Sequence, residues 1–159
     1  MTSTKSVRNL LLVLCTILIV SACNEDSNPF IADYSDAPPL ADTTSALSKV
    51  TSESGLIYYV IEEGDSESFD LVIRDDVFMY YTTRIDDEII ASSYVNGSTS
   101  AIRVNSVGSQ TSIGFVGDGF VEGVLGMKEG ERRVLVIPSD LNTTSETIVL
   151  DVEVETIDY

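Results

Sequence analysis

Cys23 is the residue whose chemistry the sequence places most sharply. It follows Val20-Ser21-Ala22, small side chains that let a processing enzyme bring the backbone close, and the other cysteine, Cys15, lies in the apolar run before it. A thiol at that point can carry a diacylglycerol; a reactive free thiol is the alternative. If Cys15 leaves with a leader, one thiol remains and no internal disulfide can form. Histidine is absent, which removes the commonest general base and metal ligand. Asp86-Asp87-Glu88 group three carboxylates, but consecutive acids lack the spaced ligands of a calcium loop. No metal or cofactor is expected. Asn96-Gly97-Ser98 and Asn142-Thr143-Thr144 fit a glycosylation sequon, a pattern that many chains meet by chance.

The residues before Cys23 have the order of an export signal. Lys5 and Arg8 form a basic start, and Leu10 to Val20 is apolar apart from Cys15 and Thr16. That run is too short to cross a bilayer core of roughly 30 Å, which needs about 20 helical residues. With Val20-Ser21-Ala22-Cys23 it resembles a bacterial lipobox, so residues 1–22 are read as a lipoprotein signal peptide and Cys23 as the lipidation site. An ordinary signal peptide or an uncleaved anchor is the alternative. The expected location is the bacterial cell envelope, lipid-anchored at the outer membrane, on its periplasmic face or the cell surface.

Cleavage before Cys23 leaves 137 of the 159 residues, enough for one domain. Loss of Lys5 and Arg8 leaves seven basic residues against 26 acidic ones, a net charge of −19. Such a surface repels phosphates and anionic lipid, so nucleic acid is excluded as a partner and the membrane is reached through the lipid alone. Only Lys49 and Lys128 remain as lysines, a composition that also suits salt adaptation.

The elements that must position any site begin well after Cys23. Residues 23–50, with Asn24-Glu25-Asp26-Ser27-Asn28-Pro29 and Ala37-Pro38-Pro39, read as a flexible, disordered tether, because their scattered apolar residues bury too little to offset ordering. Asn24-Glu25-Asp26 also resembles an acidic surface-export tag, or is the ordinary start of a solvated linker. Residues 51–159 read as one folded domain. Strands are expected at Leu56 to Ile61, Val77 to Thr83, Ile89-Ile90, Ile102 to Val104, Arg132 to Pro138 and Ile148 to Thr156. Period 2 puts Val77, Met79 and Tyr81 on one face, and Asp86-Asp87 suits a hairpin turn. A helix is expected over Gly119 to Met127, capped by Asp118, with Phe120, Val124 and Met127 on one face and Lys128-Glu129-Gly130 after it. Several strands and one short helix make the class α+β.

Seven blocks, in this order and spacing, resemble the FKBP-type peptidyl-prolyl isomerases. They are Ser54-Gly55-Leu56-Ile57-Tyr58, Tyr81-Thr82, Ser92-Ser93-Tyr94, Gly119-Phe120-Val121-Glu122-Gly123-Val124, Met127-Lys128-Glu129-Gly130, Val136-Ile137-Pro138 and Leu150-Asp151-Val152-Glu153. The resemblance runs from about Ser54 to the C-terminus and implies a twisted antiparallel sheet wrapped around one short helix. It also implies a substrate pocket. The family's pocket tyrosine matches Tyr81, its wall Phe-Asp matches Ile90-Ala91, and its Val-Ile matches Val116-Gly117. Its floor tryptophan matches Phe120 and its late-strand Phe matches Leu150. Thr83 replaces a glycine, the tyrosine of the loop after Ile137-Pro138 is missing, and Asn105 to Gly114 is longer than usual.

The chemistry implied needs no nucleophile. Amide resonance holds the X–Pro bond behind a barrier of about 18–20 kcal/mol, and an apolar pocket that twists the amide weakens that resonance. Each 1.36 kcal/mol removed is about tenfold in rate. The implied partners are proline-containing polypeptides or unfolded exported proteins, met by a monomer. Three readings stay open: a membrane-tethered isomerase, a non-catalytic chaperone or protein-binding module of the same fold, and a structural or adhesive lipoprotein. A concave apolar site containing Tyr81 and Phe120 would favour the first; a filled one would favour the others.

Overall fold

Strand β3 (Asp76–Ile85) is the spine of the sheet. Its β-branched and aromatic side chains suit a pleated surface covered on both sides. In this computed structural model, which describes residues 31–109 and 116–159, β7 (Ile148–Asp158) runs antiparallel to β3 from Asp76 opposite Asp158 to Arg84 opposite Val149. Beyond β7 come β6 (Arg132–Ile137), β2 (Ile57–Glu62) and β1 (Ser48–Thr51), all antiparallel. The other edge of β3 is shared end to end by β4 (Glu88–Ser92), against residues 82–85, and β5 (Ile102–Val104), against residues 77–79. Seven antiparallel strands and one helix give the α+β architecture that the strand and helix signals imply.

Two irregularities set which residues face the core. Asp86 and Asp87 form the expected β3–β4 turn, both at positive φ (49° and 68°), the conformation that a two-residue hairpin demands and Asp tolerates. In β7 the register slips so that Met79 faces Val154 while Phe78 faces Thr156, leaving Glu155 as the extra residue. The bulge explains the irregular spacing of Val152, Val154 and Ile157, all three of which reach the core.

Helix α1 (Gly117–Val124) covers the inner face of the sheet. It starts two residues earlier than expected: Val116 holds the N-cap position and Asp118 lies in the first turn, where a carboxylate favours the helix dipole. It also stops earlier, because Gly126 turns the chain at φ +76°. Met127 leaves the helix but stays in the core with Phe120 and Val124. A Cβ at Gly119 would overlap Ile137, and one at Gly123 would overlap Leu135. These two glycines, one turn apart, let the helix backbone lie against β6. Arg133 from β6 finishes the helix end, donating from Nη1 to the carbonyls of Gly123 (2.9 Å) and Leu125 (3.3 Å), while its Nε binds Glu131 (2.6 Å).

The folded unit begins at Ala32, not at residue 51. Residues 32–50, expected as part of the flexible tether, pack on the domain. Pro38's carbonyl accepts from Arg84 Nη2 (2.7 Å), Ala41's amide donates to Asp151 Oδ2 (3.1 Å), and β1 pairs with β2 from Ser48 opposite Val60. Composition missed this because it weighs apolar burial, whereas these residues are held by polar contacts and a backbone ladder. The export signal, Cys23 and the first residues of the tether lie outside the described residues. No helix among the described residues is long and apolar enough to cross a membrane.

Candidate functional site

Tyr81 sits on the inner face of β3, its ring against the core and part of its surface accessible. The end of β4 fixes it. Tyr81's amide donates to Ser93 Oγ (3.0 Å), and its carbonyl accepts from the Ser93 amide (3.0 Å) and from Ser92 Oγ (3.1 Å). Ser92 and Ser93 are therefore positioning residues for Tyr81, a role visible in the sequence only as part of a matched block. Burial pushes the Tyr81 phenol above its ordinary ionisation range, and the neighbouring Tyr34 phenol adds to the shift.

Ile90 is a bulge residue. Thr83 pairs with Ala91 and Arg84 with Ile89, so Ile90 has no opposite number on β3, and its carbonyl instead accepts from the Tyr34 hydroxyl (3.3 Å). Ala91, Thr83 and Leu150 form a row across β4, β3 and β7, and directly opposed residues share a face. Leu150 is in the core, so Thr83 and Ala91 face the helix too. Thr83 Oγ1 is buried and has no hydrogen-bond partner among the described residues, which costs about 1–3 kcal/mol.

The five expected pocket residues divide into two sets. Val116, Phe120 and Leu150 have no accessible surface, whereas Tyr81 and Ile90 are half-buried at the rim. The loop after Ile137 has closed on itself: Asn142 Nδ2 donates to the carbonyls of Ile137, Pro138 and Glu146 at 2.8–3.1 Å, and Asn142 Oδ1 accepts from the Thr144 amide (2.6 Å). A glycan on Asn142 would break this turn. Gly117, at φ +55°, lies against Leu141 and Asn142 and docks the start of α1 on the loop.

A cavity of about 130 Å³ opens on the outer face, lined by Pro38, Tyr80, Tyr81, Thr82, Tyr94, Arg132, Asp151 and Glu153. It lies across the sheet from α1, because Tyr80 and Thr82 alternate with Met79 and Tyr81. Its polar groups bind one another: Arg132 grips Asp151 through two 2.9 Å bonds. Burial there raises the Glu153 carboxyl above its usual range. Asp151, part of a matched block, thus joins β6 and the residue 32–47 segment rather than the pocket. No group of three or more Asp, Glu or Cys side chains among the described residues could hold a metal ion.

A family model for FKBP-type peptidyl-prolyl cis-trans isomerases matches residues 70–151. Among solved structures, FkpA from Escherichia coli superposes with a TM-score of 0.57 at 26% identity, covering 70% of this chain and 52% of that one. The chain therefore spans about half the length of FkpA. A peptidyl-prolyl cis-trans isomerase from Pseudomonas syringae pv. tomato aligns with a TM-score of 0.55 at 18% identity, covering 74% and 86% of the two chains. AtFKBP13 aligns with a TM-score of 0.55 at 17% identity over 70% and 99%; these two establish the fold alone. No curated protein matches the sequence. With its helix on the inner face, Tyr81 at the rim and more than half the sequence matched, the chain belongs to the FKBP-type peptidyl-prolyl cis-trans isomerase family.

Proposed function

We propose that this protein is a lipid-anchored FKBP-type prolyl isomerase of the bacterial envelope that acts on proline-containing segments of exported proteins. The observation that carries the reading is Tyr81, an aromatic wall locked by Ser92 and Ser93 beside the bulged Ile90 at an accessible rim. An X–Pro peptide laid there leaves water for an apolar surface, where the charge-separated amide resonance form is less favoured. No acid, base or metal is needed, which agrees with a chain that lacks histidine. Anchoring through Cys23 rests on the sequence, and mass spectrometry of the mature N-terminus tests it.

The test of activity is proline-limited isomerisation of X–Pro peptides by the unit starting at Ala32, with Tyr81→Ala and Tyr81→Phe as variants. Acceleration is expected, falling about tenfold in Tyr81→Ala, equivalent to about 1.4 kcal/mol of barrier. No acceleration from the folded unit would overturn the enzyme reading. The complete burial of Val116, Phe120 and Leu150 favours a second reading, a non-catalytic module that binds proline-containing chain at the rim. Peptide binding without acceleration would support it.

A further inference from the structure

Of the two pocket residues that keep accessible surface, Ile90 is hydrogen-bonded by Tyr34 and Tyr81 lies within its electrostatic reach. The Tyr34 hydroxyl donates to the Ile90 carbonyl at 3.3 Å, and its phenol adds to the upward shift that burial imposes on the Tyr81 phenol. Tyr34 is itself half-buried and keeps part of its surface accessible.

Its backbone is held on both sides. Asp33's amide donates to Asn96 Oδ1 (3.0 Å) and its carbonyl accepts from the Asn96 amide (2.7 Å), clipping the segment to the β4–β5 connection. On the other side the Ala37 amide closes a turn on the Tyr34 carbonyl (3.0 Å), and Arg84 then takes the Pro38 carbonyl. A tyrosine between two such anchors is placed like a residue of the domain rather than of a tether.

A proline ring packs well on aromatic faces, and tyrosine offers large contact area with only two side-chain torsions to fix. Among the described residues the ring of Tyr81 stands at the rim beside the aliphatic Ile90.

We infer that Tyr34, supplied by the segment preceding the matched family region, is a substrate-contacting wall of the prolyl-peptide site and faces Tyr81 across it. The inference rests on the isomerase reading of that site and extends it to a residue 36 positions before the family match begins at residue 70. The phenol ring makes the contact, and the bond to Ile90 sets its angle.

The experiment compares the full chain with Tyr34→Ala and Tyr34→Phe, measuring kcat/KM on X–Pro peptides and urea midpoints. Tyr34→Ala should lose about tenfold in kcat/KM, mostly through a higher KM, while Tyr34→Phe keeps activity within about threefold and both keep the wild-type midpoint. Unchanged kcat/KM in Tyr34→Ala, with the wild type active, would overturn the inference and leave the isomerase reading standing. A rise in kcat/KM would also overturn it, by showing that the segment obstructs the site. If the wild type is inactive, the isomerase reading fails and peptide binding decides on Tyr34. Binding followed by amide NMR shifts at Tyr81 and Ile90 should weaken about tenfold in Tyr34→Ala; equal binding by both proteins, or none by the wild type, overturns the inference.

Discussion

The two faces of this sheet are buried by different chemistry. On the inner face Val77, Met79, Leu135, Leu150, Val152 and Val154 meet Phe120, Val124 and Met127 in one apolar core. On the outer face the buried side chains include Thr82, Arg84, Ser92 and Asp151, and much of their cover is residues 32–47, joined through Arg84 to Pro38 and Asp151 to Ala41. The inner face draws its stability from area removed from water, which is non-directional. The outer face depends on matched donors and acceptors, which contribute little net energy when made but cost more when left unmade. One face can be repacked by any side chain of the right size; the other tolerates few exchanges but selects one partner segment.

The largest test of this contrast is Phe120→Ala. Deleting the biggest fully buried side chain from the inner face should cost about 3–5 kcal/mol, read as a lower urea midpoint of the unit from Ala32 onward. A cost below about 1 kcal/mol would show that the helix-covered face is not the main store of stability. Arg84→Met probes the other face. It removes a charge-assisted bond to Pro38 together with the unpartnered Nη1, so the expected net loss is about 1–2 kcal/mol. Amide exchange should speed up locally at Ala37 and Ala41 while the β3–β7 ladder keeps its protection. Uniform acceleration across the ladder would mean that the segment and the sheet are one cooperative unit.

The smallest effect sharpens the comparison by removing its exception. Thr83 is a polar side chain on the apolar face, buried without a partner. Thr83→Val should raise stability by about 0.5–1 kcal/mol, since no bond is lost and an unpaired hydroxyl goes. A loss of stability would show that the hydroxyl has a partner in solution.

The same contrast explains what could be read from the sequence. The strands with period-2 burial and the helix face of Phe120 and Val124 were legible, because apolar periodicity records the inner face directly. Tyr81 was legible for that reason, its place following from Val77 and Met79. The helix ends were less so: Asp118 resembled a cap, but Gly117 can adopt the positive φ that starts the helix sooner. Val116, Phe120 and Leu150 were reached through resemblance, and a family match cannot say how much of a side chain solvent reaches. Ile90's bulge leaves no mark in a run of two isoleucines. Residues 32–50 stayed hidden because polar contacts have no period. Their partners are also far away in the chain, 46 residues between Pro38 and Arg84 and 56 between Tyr34 and Ile90.

The bond from Ala41 to Asp151 spans 110 positions, and that separation fixes an order of events. Asp151 lies on β7, so this anchor forms only when β7 has paired, whereas the segment's anchors at Arg84 and Asn96 lie on earlier parts of the chain. Closing so long a loop is entropically costly, and contacts of such separation are slow to form. The Ala41 end of the segment is therefore the last part to dock on the outer face. Until it does, Asp151 lacks the Ala41 amide, while Arg84 and Ile90 already have their partners Pro38 and Tyr34 within reach.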